Sequence, residues 1–263
     1  MNPPLIVPSI AWKALGASVT GTSHQKNKLP CQDTLEWRTA PRNILIVVVA
    51  DGAGSAKFAE IGSALAAKSA IESLLEKFQS VVSEGDAISA LKVTIDRARL
   101  KLVSESEQRA IPLRELATTL LLAAVGIDWI AAAQIGDGAV LAGQSPETLR
   151  AFTRPIASEY LNETQFLTSD NAVEQAQIVF EKSTIRSVAV FSDGLQMLCL
   201  KMADSTAHPA FFKPLFNFLK SATDLQAAQK DLSNFLESPR ITNRTDDDLT
   251  LFLATAEDSN GGP

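Results

Sequence analysis

The chain has 263 residues, 46% of them hydrophobic, enough to bury a large core. Its formal charge of -6 argues against a nucleic-acid surface, which needs a basic patch, and two histidines with no close cysteine pair exclude a usual zinc site. Cys31 and Cys199 do not form a disulfide framework, residues 1–10 lack a signal-peptide pattern and no uncharged apolar run spans a bilayer, so a reducing, cytoplasmic setting is expected.

In chain order, residues 11–20 and 34–39 read as strands on either side of a polar loop, 21–33. Residues 44–50 form a continuous apolar, β-branched run, as in a strand buried on both faces, and Asp51-Gly52 stops it. Two helices follow. Over 57–79, Phe58, Ile61, Leu65, Leu74, Leu75 and Phe78 recur near helical spacing, and over 86–109 Ile88, Leu91, Ile95, Ala98 and Leu102 do the same. Strands at 118–125, 127–135 and 139–142, joined by tight turns around Gly126 and at Gly136-Asp137-Gly138, make a β-meander. Residues 153–177 lose the pattern, and so long a connection inside a compact domain is usually functional or mobile. Strands return near 178–182 and 187–192, followed by helices over 208–221 and 224–237 and a last strand, 248–254. The first of those helices, with Phe211, Phe212, Leu215, Phe216 and Leu219, has the spacing of a helix that covers a sheet. Residues 1–256 are expected to form one domain and the Gly-rich 257–263 a disordered tail. The fold class is α+β: two packed sheets with a helix pair on each outer face.

Four acidic segments fall at strand ends: Asp51-Gly52-Ala53-Gly54, Gly136-Asp137-Gly138, Ser192-Asp193-Gly194 and Asp246-Asp247-Asp248. Each alone is also an ordinary turn sequence. Gathered together, such carboxylates repel one another and resist ionisation unless a cation compensates. Four of them where loops converge favour a metal site.

In order as well as content these motifs resemble the metal-dependent protein serine/threonine phosphatases of type 2C, in particular a short bacterial branch. The resemblance runs from Gly21-Thr22-Ser23-His24 and Pro30-Cys31-Gln32-Asp33, through Val49-Ala50-Asp51-Gly52-Ala53-Gly54-Ser55 and Ala117-Thr118-Thr119, to Gly136-Asp137-Gly138, Phe191-Ser192-Asp193-Gly194-Leu195 and Asp247-Asp248-Leu249-Thr250. It implies a four-layer αββα sandwich of mainly antiparallel sheets with a two-metal site at one end. By the same resemblance Asp51 bridges two ions and the Gly52 carbonyl holds one of them. Asp193 and Asp247 complete a shell, and Asp33 acts through water. Asp137 matches the position of a third, looser ion, with a plain hairpin-turn aspartate as the alternative. Carboxylate, carbonyl and water ligands select Mg²⁺ or Mn²⁺. The implied reaction is hydrolysis of phosphoserine and phosphothreonine in proteins by a two-metal-activated water. The implied partner is a phosphorylated protein, a kinase or its target, with no nucleic acid and no membrane, and the chain is expected to be a monomer.

Three departures stand out. Gln32 replaces a glutamate, Ala53 replaces the histidine that animal members use as a proton donor, and Lys28 replaces a phosphate-binding arginine, so Lys28 or His24 is left to bind phosphate. A lysine binds phosphate as a point charge without the arginine fork. These losses keep open a catalytically weak regulatory or binding module, and the site alone leaves open a phosphatase of a small metabolite. Cys31 lacks the loop of a nucleophilic-cysteine phosphatase and reads as a buried filler, and neither Ser23 nor Ser192 reads as a nucleophile. Thr118 and Thr119 are expected to back the metal loop. Residues 162–169 fall where the family carries a variable flap, with a plain surface loop as the alternative.

Overall fold

The computed structural model describes residues 10–81, 83–154, 165–201 and 206–258. In chain order its elements are β1 (Ile10–Val19), α1 (Thr22–Asn27), β2 (Asp33–Ala40), β3 (Ile44–Asp51), α2 (Ala59–Lys77), α3 (Glu84–Arg109), β4 (Leu120–Val125), β5 (Ile130–Ile135), β6 (Ala139–Gly143) and β7 (Arg150–Thr153). They continue with α4 (Ala172–Gln175), β8 (Gln177–Glu181), β9 (Ser187–Phe191), α5 (Gln196–Cys199), β10 (Leu200–Lys201), β11 (Thr206–Ala207), α6 (Pro209–Ser221), α7 (Leu225–Leu236), α8 (Pro239–Thr242) and β12 (Leu249–Asp258). Among the described residues there are two five-stranded sheets, ordered β1-β12-β9-β6-β7 and β2-β3-β4-β5-β8, and a two-stranded ribbon, β10-β11. Every pairing within them is antiparallel.

Strand alternation sorts the apolar residues into three layers. On β3, Ile44, Ile46, Val48 and Ala50 face the layer that α2 and α3 cover, whereas Leu45, Val47 and Val49 face the space between the sheets. That is why the whole run is apolar. Ala66, Ala67 and Ala70 on α2 keep it close to the sheet and to α3, where Ser73 and Thr94 meet hydroxyl to hydroxyl at 2.9 Å in the buried helix interface. On the other outer face Phe212, Phe216 and Leu219 of α6 and Ala228 and Leu232 of α7 cover Leu15, Phe191, Leu251 and Leu253. The expected αββα sandwich is present, and α6 is a core helix.

Four details differ from the sequence reading. The polar loop 21–33 contains α1, a short helix that ends at Lys28 in a left-handed turn with φ 55°. A short edge strand, β7, pairs with β6 through a register shift and was not marked by any long apolar run. Within 153–177 two residues beyond 164 pack into the core: Leu167 and Ala172 are buried, and the Leu167 N–H donates to the Thr118 carbonyl at 2.8 Å. Residues 162–164 of the expected flap lie outside the described residues. Finally, β12 continues two residues into the stretch read as a tail, pairing Glu257 with Ala11 and Asp258 with Ile10, and the rest of that stretch lies outside the described residues.

Candidate metal centre

One end of the space between the sheets is polar. Asp33, Leu35 and Trp37 share a face of β2, and Asp51 continues the face of Leu45, Val47 and Val49 on β3. Gln134 continues Ile130 and Ala132, Ser192 continues Val188 and Val190, and Asp248 leads into Thr250, Phe252 and Ala254. Alternation that builds the inner core thus delivers carboxylate, amide and hydroxyl groups at its mouth.

Asp51 is held rigidly. Its N–H donates to Thr119 Oγ1 at 3.0 Å, and its carbonyl accepts from the Thr119 N–H at 2.8 Å and Thr118 Oγ1 at 2.9 Å, so the two threonines do back this loop. Gly52 donates to the Gln32 carbonyl at 3.1 Å, and a Cβ there would lie 2.7 Å from the Ala59 carbonyl oxygen. Asp137 tops the β5–β6 turn between Gly136 and Gly138, whose φ values of +88° and +91° call for glycine. Gln134 braces that turn from below, Nε2 donating to the carbonyls of Gly136 at 3.0 Å and Gly138 at 3.2 Å. Asp193 opens the turn after β9. Carboxylate oxygens of Asp51, Asp137 and Asp193 all lie within 4.8 Å of one another.

Asp33 sits opposite Asp51 in the β2–β3 register. Although it belongs to one sheet, it is gripped by the other: its Oδ2 accepts from Ser192 Oγ and from Thr250 Oγ1, both at 2.7 Å. The Thr250 N–H in turn donates to Ser192 Oγ at 3.0 Å. Ser192 thus ties the carboxylate of Asp33 to the backbone of β12. Asp247 is exposed at the rim, with Oδ1 accepting from the Asp248 N–H at 2.8 Å.

Burial raises the carboxyl of Asp51 well above the ordinary range, with Asp33 and Asp193 adding like charge. Asp193 is raised by burial and then by Asp137, and Asp247, exposed though it is, is raised by the partial loss of water on its inward side and then by Asp248 and Asp246. Asp33 is also raised by burial, against the lowering effect of its two hydroxyl donors. These carboxylates resist ionising together, which is the condition a bound cation relieves. Asp193 Oδ1 is buried with no hydrogen-bond partner, as a ligand atom aimed at a cation is. The donor set is all oxygen and fits a hard divalent ion.

Of the other residues singled out, Lys28 is exposed at the end of α1, and His24 turns Nδ1 to Asp248 Oδ2 at 2.9 Å. Ala53 lies in a small apolar cluster with Ala56, Ala59, Ala117 and Phe166, so no proton donor stands there. Cys31, expected as a buried filler, is only half-buried; loss of water and the charges of Asp33 and Asp248 push its thiol up, which disfavours the thiolate. Sequence reasoning missed the roles of Asp248, Gln134 and Thr250. For Gln134 and Thr250 the signal was available in their strands' alternation, since each continues a face whose other members are core.

A two-sheet sandwich whose inner layer ends in clustered, half-buried carboxylates offers a site that could hold a divalent metal. The chain belongs to the protein phosphatase 2C family: the family's profile, Protein phosphatase 2C, matches residues 20–237. It is 36% identical over 222 residues to Serine/threonine-protein phosphatase 3 of Escherichia coli (strain K12), covering 82% of this chain and 87% of that protein. Its fold is similar to that of serine/threonine phosphatase Stp1 from Staphylococcus aureus, with a TM-score of 0.66 at 16% identity over 98% of this chain and 100% of that one. The crystal structure of a bacterial serine phosphatase is similar too, with a TM-score of 0.65 at 17% identity, covering 94% of this chain and 98% of that one. The family is one of metal-dependent phosphatases. Among the described residues no helix is long and apolar enough to cross a membrane.

Proposed function

We propose that this chain hydrolyses phosphoserine and phosphothreonine in proteins with Mg²⁺ or Mn²⁺. The observation that carries the reading is the meeting of Asp51, Asp137 and Asp193 within 4.8 Å, each on a motif the family shares, with Asp193 Oδ1 left unpartnered. Asp51 and the Gly52 carbonyl, with Asp193 and Asp247, would hold two ions. Asp33 would hold an ordered water beside them, and Asp137 a third, looser ion. Bound there, the ions supply charge neutralisation for the phosphoryl oxygens and a water acidic enough to attack at neutral pH. The chain's own part is orientation: Thr118 and Thr119 fix Asp51, Gln134 fixes the Asp137 turn, and Ser192 and Thr250 fix Asp33. Lys28 supplies a positive charge for the phosphate group. Because Ala53 carries no proton, the leaving seryl or threonyl oxygen takes its proton from water. The same proposal includes a phosphorylated protein as partner, a kinase or its target, one catalytic domain over 1–256, a monomer, and a cytoplasmic location in keeping with two unpaired cysteines.

Gln32, Ala53 and Lys28 favour, as a second reading, a weak regulatory module. Hydrolysis of a phosphothreonine peptide and of p-nitrophenyl phosphate, with EDTA, Mg²⁺ or Mn²⁺, separates the two. Turnover that needs metal and is lost in Asp51→Ala is expected. Silence with every metal would leave the regulatory module standing.

A further inference from the structure

Of the three consecutive aspartates before β12, Asp248 faces inward and is 2% exposed. Its Oδ1 accepts from the Gly21 N–H at 2.7 Å, and its Oδ2 accepts from the Gln32 N–H at 2.5 Å and from His24 Nδ1 at 2.9 Å. Gly21 and Gln32 bracket the loop that carries α1 and Lys28, so one carboxylate joins both ends of that loop and the first turn of its helix. The loop lies directly on the backbone of the acidic run. Ser23 donates to the Asp246 carbonyl at 2.9 Å, and a Cβ on Gly21 would fall 2.2 Å from the Asp247 carbonyl carbon.

The chain neighbours of this knot are site residues. Asp247 precedes Asp248, Asp33 follows Gln32, and the Gln32 carbonyl receives the Gly52 N–H beside Asp51. A carboxylate this buried is tolerated only when donors fill its lone pairs. Of its three nitrogen donors from that loop, two are backbone amides and one is a side chain, His24, and the Cys31 thiol also turns toward it. Donation from Nδ1 also fixes the ring's tautomer.

We propose that Asp248 and His24 form a pin that closes the 21–33 loop against the acidic centre and sets the spacing of Asp33 and Asp247. His24 is then a positioning residue that acts through Asp248 and does not touch phosphate. The inference rests on the metal-phosphatase reading above, and its test keeps the two apart. An asparagine amide nitrogen reaches the place of histidine Nδ1, so Asn can replace the pin without replacing the imidazole.

The experiment compares wild type, His24→Ala, His24→Asn and Asp248→Asn by calorimetric Mn²⁺ binding, hydrogen exchange at the Gly21 and Gln32 amides, and turnover. His24→Ala is expected to weaken Mn²⁺ binding about tenfold, the lower end of what losing an outer-shell hydrogen bond around a metal site costs, and to speed exchange at both amides. His24→Asn recovers most of the loss in all three measurements. Asp248→Asn, which sets an NH₂ against an N–H donor, weakens Mn²⁺ as His24→Ala does, and it carries the test should the alanine variant fail to fold. Wild-type Mn²⁺ affinity and amide protection in His24→Ala or Asp248→Asn overturn the pin. So does a His24→Asn protein that binds Mn²⁺ normally yet is as slow as His24→Ala, since the imidazole would then act in the chemistry. Wild-type protein that binds no Mn²⁺ overturns the phosphatase reading, and the pin's link to metal with it.

Discussion

The middle and the mouth of the inter-sheet layer are built by the same strands and the same alternation, yet they are chemical opposites. In the middle, Leu45, Val47, Leu121, Val190 and Phe252 are fully or almost fully buried and need nothing but packing. At the mouth, Asp33, Asp51, Gln134, Ser192 and Thr250 continue those faces, and each needs a donor, an acceptor or a cation. The contrast teaches that the rigid layer is what aims the site. A carboxylate at a strand end inherits the strand's position, and cross-sheet bonds such as Ser192 to Asp33 correct it to hydrogen-bond accuracy.

The hardest way to break the comparison is to damage the middle. Phe252, packed on Trp37 with ring centroids 5.6 Å apart, is expected to cost about 3–5 kcal/mol as Phe252→Ala. Chemical denaturation would measure that loss. By contrast Asp51→Ala, at the mouth, should keep the metal-free protein at least as stable as wild type, since it removes a repelled carboxylate. A large loss of stability in Asp51→Ala would contradict the division between the two regions.

A smaller effect sharpens it. Ser192→Ala removes one of the two donors to Asp33 Oδ2 and leaves the Thr250 N–H without its acceptor, so about 1–3 kcal/mol of stability should go. Mn²⁺ affinity should fall with it, and Ser192→Thr should restore part of both. An Mn²⁺ affinity unchanged in Ser192→Ala would mean that Asp33 does not feel its clamp.

The smallest effect is in the pH dependence. Asp33, Asp51 and Asp193 have folded-state values raised above the unfolded one, about 3.9. The folded chain therefore keeps protons that the unfolded chain loses, and this share of stability is present below the unfolded value and fades as pH climbs through the raised ones. Cation binding displaces those protons. The rise in melting temperature on adding Mn²⁺ should accordingly be greater at about pH 8 than at about pH 5.5. A gain that is flat with pH would show that the carboxylates are already ionised without metal.

Much of this arrangement was legible in the chain. The unbroken apolar run of β3, the helical stripes of α2 and α3 and the Asp-Gly stops at Asp51 and Asp193 each follow from local spacing. The motif order pointed to the αββα sandwich before any contact was seen. What local spacing could not carry were contacts between distant segments. Asp33 is clamped by Ser192 and Thr250, 159 and 217 residues away. Three aspartates in a row give no register of their own, so Asp248 is separated from Asp247 only once the start of β12 is known. The short helix α1 was hidden because its six residues bury no side chain and so leave no apolar stripe.

The most direct test of the account is where a metal binds. Crystals grown with Mn²⁺ should show an anomalous peak bounded by carboxylate oxygens of Asp51 and Asp193, with Asp33 oriented by Ser192 and Thr250 behind it. Active, Mn²⁺-loaded protein whose peak lies elsewhere, or which shows no peak between those two residues, would contradict the assignment of the sandwich mouth as the metal centre.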